Sequence, residues 1–165
     1  MKKLLLLLPF LGLFLCSCEK DDDEAHQQEF TIDGTKYHIE YAYQTYDLDG
    51  YCSVVFMEKE KSNTKNNIVM IYFLGNKIPT GNNIDVSYMP PTGTGLFVYR
   101  NINWEKEYDP QNPQAILSKA MSCTEGKIEI KKTNSQYKFW GKNMKVQSVE
   151  NSLLPFELIY EGLID

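Results

Sequence analysis

From Phe30 to Asp165 apolar and polar residues alternate, the period of two that a strand with one buried face requires and a helix cannot satisfy. Phe30 to Ile32 lead into Asp33-Gly34, a pair suited to positive φ. After it Tyr37, Ile39, Tyr41 and Tyr43 take one face and His38, Glu40 and Gln44 the other, which reads as a β-hairpin. Asp49-Gly50 marks a second turn, and Cys52, Val54 and Phe56 then share a face up to a polar loop over 58–67. Ile68 to Leu74 is apolar throughout, which predicts a central strand covered on both faces. Gly75 to Asn83 is turn chemistry. Ile84, Val86 and Tyr88 alternate up to Pro90-Pro91, which lack backbone donors and end the strand. Leu96 to Trp104 reads as another strand, and Ala115 to Cys123 as a further one, with a short helix over 113–121 as the competing expectation. The last third is a meander with Ile128 and Ile130, then Tyr137 and Phe139, then Phe156, Leu158 and Tyr160 facing inward. Asn134-Ser135 and Leu153 to Pro155 supply its connections.

Strands at this spacing, about nine or ten of them over residues 30–165, predict an all-β fold: an antiparallel β-sandwich, with a lipocalin-like β-barrel as the alternative. A chain of 165 residues with 42% apolar and 24% charged residues has room for one globular domain with a real core, rich in aromatics. The final pattern, Gly-x-Ile-x-Ile, Tyr-x-Phe and Phe-x-Leu-x-Tyr-x-Gly between Gly126 and Gly162, resembles the closing strands of small Bacteroidota lipoproteins of unknown function.

The N-terminus obeys other rules. Lys2 and Lys3 precede an apolar stretch from Leu4 to Leu15, the layout of a signal peptide over residues 1–17. About 20 apolar residues are needed to cross a bilayer, so this stretch is too short to span one. Leu15, Cys16, Ser17 and Cys18 resemble a lipobox: an aliphatic residue three before the thiol, a small one just before it, and Cys18 as the residue that receives lipid. Cys16 stands where such boxes usually hold Ser, Ala, Thr or Val. Taking Cys16 itself as the acceptor would put bulky Leu15 in the position that must be small.

After Cys18 come Lys20, Asp21, Asp22 and Asp23, a run that resembles the surface-export signal of Bacteroidota lipoproteins. Like charges this dense cannot fold or enter the bilayer, so residues 18–29 read as a solvated tether. The resemblance implies an outer-membrane protein held by its N-terminal lipid and displayed at the cell surface; the alternative is a lipoprotein of the periplasm-facing leaflet. Loss of Lys2 and Lys3 takes the formal charge from -5 to -7. Of that, Glu19 to Glu24 contribute -4, so the domain is nearly balanced, and nucleic acid is not an expected partner.

Two of the four cysteines, Cys52 and Cys123, fall in the domain. In an oxidising compartment they are candidates for a disulfide that would close a loop of about 70 residues, a stabilisation of roughly 4 kcal/mol. The alternative is a pair of separate buried thiols. Other chemistry is thin. Asp47-Leu48-Asp49-Gly50 could begin a calcium loop, but the rest of that loop is missing and a turn explains it. Thr92 to Gly95 lacks the Lys-Ser/Thr ending of a phosphate loop. Glu105, Glu107 and Asp109 share one loop and read as a solvated one. No metal or cofactor is expected. Trp104, at a strand end, and Trp140, out of register with Tyr137 and Phe139, are the candidate ligand-binding aromatics, with core packing as the alternative for each. The expectation is a noncatalytic binding or interaction module with a glycan or protein partner. A small-ligand carrier with a barrel interior and a glycan-directed hydrolase are the alternatives.

Overall fold

Asp33 and Gly34 adopt φ of 50° and 76° and turn β1 (Glu29–Ile32) back onto β2 (Thr35–His38), the hairpin their chemistry predicts. The computed structural model describes residues 28–47, 49–59, 65–87, 93–107, 116 and 118–165. The expected signal peptide over residues 1–17, Cys18 and Lys20 to Asp23 lie outside that set, as does Tyr88.

The predicted run from Tyr37 to Gln44 is broken. β2 stops at His38 and β3 begins at Tyr41 (Tyr41–Tyr46), because the chain crosses there between the two ends of the sheet. Ile39 N donates to Gln28 O at 2.7 Å and Glu40 N to Met57 O at 3.0 Å, so consecutive residues bond to different neighbours. Tyr37 and Ile39 stay with the main core, whereas Ala42 takes over the inward position in β3 and Tyr43 packs on the outside.

The remaining strands are β4 (Cys52–Met57), β5 (Asn66–Tyr72), β6 (Gly81–Asp85), β7 (Gly95–Ile102), β8 (Met121–Glu125), β9 (Lys127–Thr133), β10 (Gln136–Gln147) and β11 (Leu153–Leu163). All eleven pair antiparallel in the order β2-β1-β11-β10-β8-β7-β5-β4-β3, with β9 on β10 and β6 on β9. The central placing of Ile68 to Tyr72 holds: β5 lies between β4 and β7. Leu74, expected at its end, is 55% exposed.

The sheet folds over on itself. β4 and β10 are four ladders apart, about 19 Å in a flat sheet, yet Phe56 of β4 meets Phe139 of β10 with ring centroids 5.1 Å apart and Tyr160 of β11 at 5.0 Å. Two layers therefore face each other across one core. Cys52, Val54, Phe56, Val69, Ile71, Leu96 and Val98 fill it from one layer, and Phe30, Ile32, Ile130, Phe139, Phe156 and Leu158 from the other. The strands do not close into a barrel, and side chains occupy the interior that the lipocalin-like alternative would leave for a ligand. Asp165 lies along β3, donating its N–H to Ala42 O at 3.1 Å and accepting from Gln44 N at 2.7 Å.

The bend that allows this folding is built at Gly126 and Gly141. β8 and β9 form a nearly continuous strand broken at Gly126, and β10 shifts register between Gly141 and Met144. The Met144 side chain fills the space over both glycines: a Cβ on Gly126 would lie 2.6 Å from Met144 Cγ, and one on Gly141 2.6 Å from Met144 Cε.

A second cluster covers the outer side of β4, β5 and β7. Val55, Met57, Ile68, Phe97 and Tyr99 pack there under Ile102, Trp104, Ile116 and Ala120. The strand expected over Leu96 to Trp104 ends at Ile102, and Trp104 opens a helical turn, α1 (Trp104–Glu107). The strand expected from Ala115 starts only at Met121, where pairing with β7 becomes available; Ile116 is helical.

Candidate functional site

The layer built by β9, β10, β11, β1 and β2 presents one face to solvent. The ladders align Glu129, Trp140, Ile159, Glu29 and His38 in a single row across its five strands. Phe139 points into the core, so its neighbour Trp140 must point out. It is 44% exposed, with Lys142 Nζ 5.6 Å from its ring centroid. Charged residues around it are mutually paired: Lys131 with Glu129, Lys138 with Glu161 at 3.0 Å, and Lys36 with Glu29 at 2.7 Å. On this face the indole is the large side chain with exposed apolar area.

An open groove of about 630 Å3 lies at the β6–β9 end of this layer, lined by Thr80, Gly81, Asn82, Ile130 to Thr133 and Asn134. Its walls are β6 and the β9 end of the β9–β10 hairpin. The β6–β9 ladder shifts register between Gly81 and Ile84, with Asn83 at φ 63°, and Asn134 turns the hairpin at φ 56°. Lys132 Nζ sits 4.7 Å from the centroid of Tyr137 and has no ion pair among the described residues. Glu129 lies opposite Trp140 in the ladder, which makes Lys131, two residues along β9, a diagonal neighbour of Trp140 at about 7–8 Å. Lys132 has the parity of Ile130 and Tyr137, so its side chain leaves the sheet on the side opposite Trp140.

Trp104 goes elsewhere. It is 7% exposed and meets Tyr99 edge-on, with ring centroids 5.7 Å apart at 75°, so it closes the second cluster and presents no face to a ligand. Cys52 and Cys123 are unbridged and buried. The ladders align Val54, Ile71 and Leu96 with the position of Cys123, which sets the side chains of β5 and β7 between the two cysteine-bearing strands. Burial pushes the Cys52 thiol up to about 11 and the Cys123 thiol up to about 12, so neither is a nucleophile at neutral pH.

Asp47 serves its turn. Its Oδ1 accepts from Asp49 N at 3.0 Å and Tyr51 N at 2.8 Å, and its Oδ2 accepts from Tyr72 Oη at 2.9 Å. Among the described residues no three acidic, histidine or cysteine side chains converge as metal ligands do. Glu107 binds Lys119 at 2.6 Å and accepts from Asn103 N at 3.0 Å, which holds its carboxyl below the usual range. The side chain of Glu105, all of Asp109 and Thr92 lie outside the described residues, and Gly95 begins β7.

The groove was missed by sequence reasoning because its two walls come from segments some fifty residues apart. The local signals were present as Gly81-Asn82-Asn83 and Thr133-Asn134, each readable only as a turn. Comparison with family models, with curated proteins and with solved structures finds no match.

Proposed function

We propose that this protein is a lipid-anchored lipoprotein of the outer membrane whose β-sandwich is a noncatalytic binding module displayed at the cell surface. Anchoring is supported by the leader and by the Leu15 to Cys18 box, and display by the Lys20 to Asp23 run. Two or three acyl chains at about 0.8 kcal/mol per buried methylene hold a protein stably where a single chain does not. The observation that carries the binding half is Trp140, a half-exposed indole on the solvent face of the layer, with the Lys142 ammonium 5.6 Å from its ring centroid. Tryptophan joins a large apolar area to a polar N–H, the combination that partner surfaces favour.

The test follows from Cys18. Cys18→Ser should move the protein from the membrane pellet to the soluble fraction or stall it as the longer precursor; an equally firm membrane association defeats the anchor. Protease treatment of intact cells should release peptides of residues 30–165 without lysis. Peptides that appear only after the outer membrane is opened would place the module in the periplasm-facing leaflet instead.

A further inference from the structure

We propose that the groove between β6 and β9 binds an acidic saccharide, with Lys132 taking the anionic group and Thr80, Asn82, Thr133 and Asn134 taking the ring hydroxyls. This names the ligand class of the binding module proposed above and rests on that reading. The groove's lining holds two lysines and no acidic residue. Lys131 is already neutralised by Glu129. Lys132 is not: an aromatic ring holds its ammonium at 4.7 Å, which orders the cation without compensating its charge. An ordered, unpaired ammonium at the wall of a groove is prepared for an anion, because little side-chain freedom remains to be lost on binding.

The rest of the lining selects among anions. Two asparagines and two threonines offer both donors and acceptors, as neighbouring hydroxyl groups demand. An extended acidic peptide would need an unpaired strand edge and pockets for alternate side chains. Here the β6 ladder reaches only to Gly81 opposite Ile130, so Lys131 to Thr133 keep a free edge; what the lining lacks is the pockets, since its one apolar side chain, Ile130, is buried in the core. The volume, about 630 Å3, falls in the range of roughly 300–1,000 Å3 usual for ligand sites. Its open form suits a chain passing across it better than an enclosed small molecule.

The experiment uses the full-length protein in detergent, titrated calorimetrically with polygalacturonate, chondroitin sulfate, dextran and polyglutamate. The two acidic polysaccharides should bind, their separate arms telling carboxylate from sulfate, and dextran and polyglutamate should not. Binding should weaken as salt rises from about 50 to about 500 mM. Lys132→Gln should cost about tenfold or more in affinity, Lys132→Arg should keep most of it, and both should melt as the parent does. Trp140→Ala, on the other side of the sheet, should bind as the parent does. Equal binding of dextran, equal binding of polyglutamate, no binding of either acidic polysaccharide, or a Lys132→Gln titration that matches the parent would each overturn the assignment. None of these outcomes bears on the membrane fractionation of the Cys18→Ser variant, so the two readings fail separately.

Discussion

The layer of β4, β5 and β7 and the layer of β9, β10 and β11 are made of similar strands in different surroundings. In β4 every residue is buried, Cys52, Val54 and Phe56 by the main core and Val55 and Met57 by the second cluster. In β10 burial alternates with exposure, Phe139 inside and Trp140 outside. Where a strand is covered once, alternation tells each side chain where it goes, and an exposed aromatic stands out. Where it is covered twice, both parities are apolar and the period of two carries no such information. The proposed binding face belongs to the first kind of layer, since an exposed partner surface needs a side of the sheet that the fold has left to water.

The sharpest way to break this comparison is to truncate the outer side of each layer. Ile68→Ala, beneath the second cluster, should cost about 2–5 kcal/mol, as much as a main-core deletion. Trp140→Ala should cost within about 1 kcal/mol, because its indole contributes little to either core. Chemical denaturation of both variants decides it. A small cost at Ile68 would mean that α1 and its flanks do not bury the outer side in solution. Next in size is the bend between the layers: Gly126→Ala drives a Cβ to within 2.6 Å of Met144 Cγ and 3.0 Å of Met144 Cβ. That should destabilise by about 1–3 kcal/mol. Gly34→Asn, at a turn position whose φ of 76° asparagine tolerates, serves as the mild control.

The alternation of Ile128 and Ile130, of Phe139 and of Phe156, Leu158 and Tyr160 was legible because those strands are covered once, and the Asp33-Gly34 turn because two residues decide its geometry. The all-β class follows from the same signal. Illegible were the features that depend on distant partners. The chain leaves one end of the sheet and enters the other at Ile39 and Glu40, since each bonds to a strand far off in sequence. Trp104 is drawn inward by Tyr99 and the apolar outer side of β7, which nothing local announces. Trp140 was placed on the outer face from parity alone, whereas the groove needed the β6–β9 ladder before its residues could be seen together.

The thiols test the buried layer chemically. Cys52 and Cys123 should both resist a thiol reagent near pH 8 in the native protein and both react once it is unfolded. A failure to react under denaturing, non-reducing conditions would show a bridge. Sites other than these two that react would mean that Cys16 is still present or Cys18 is unmodified. Because burial raises the Cys123 pKa from 9.0 to about 12, the unfolded chain loses its thiol proton first as pH rises. Stability should therefore be complete below about pH 9 and decline from there towards pH 12, and Cys123→Ala should remove its share of that slope.

The smallest effects belong to the paired charges around Trp140. Lys138 and Glu161 keep 51% and 32% side-chain exposure at 3.0 Å, so solvent screens them, and Lys138→Ala should change stability by about 0–1 kcal/mol. Their consequence lies in what they withhold. With Lys138 engaged by Glu161 and Lys131 by Glu129, Lys132 is the groove-lining lysine left without an ion pair among the described residues. Glu129→Gln releases Lys131 next to the groove and should tighten binding of polygalacturonate by a few fold while leaving the melting temperature nearly unchanged. Weaker binding in that variant would mean that Glu129 contacts the ligand itself, and that the anion-binding centre of the groove lies nearer Trp140 than Lys132.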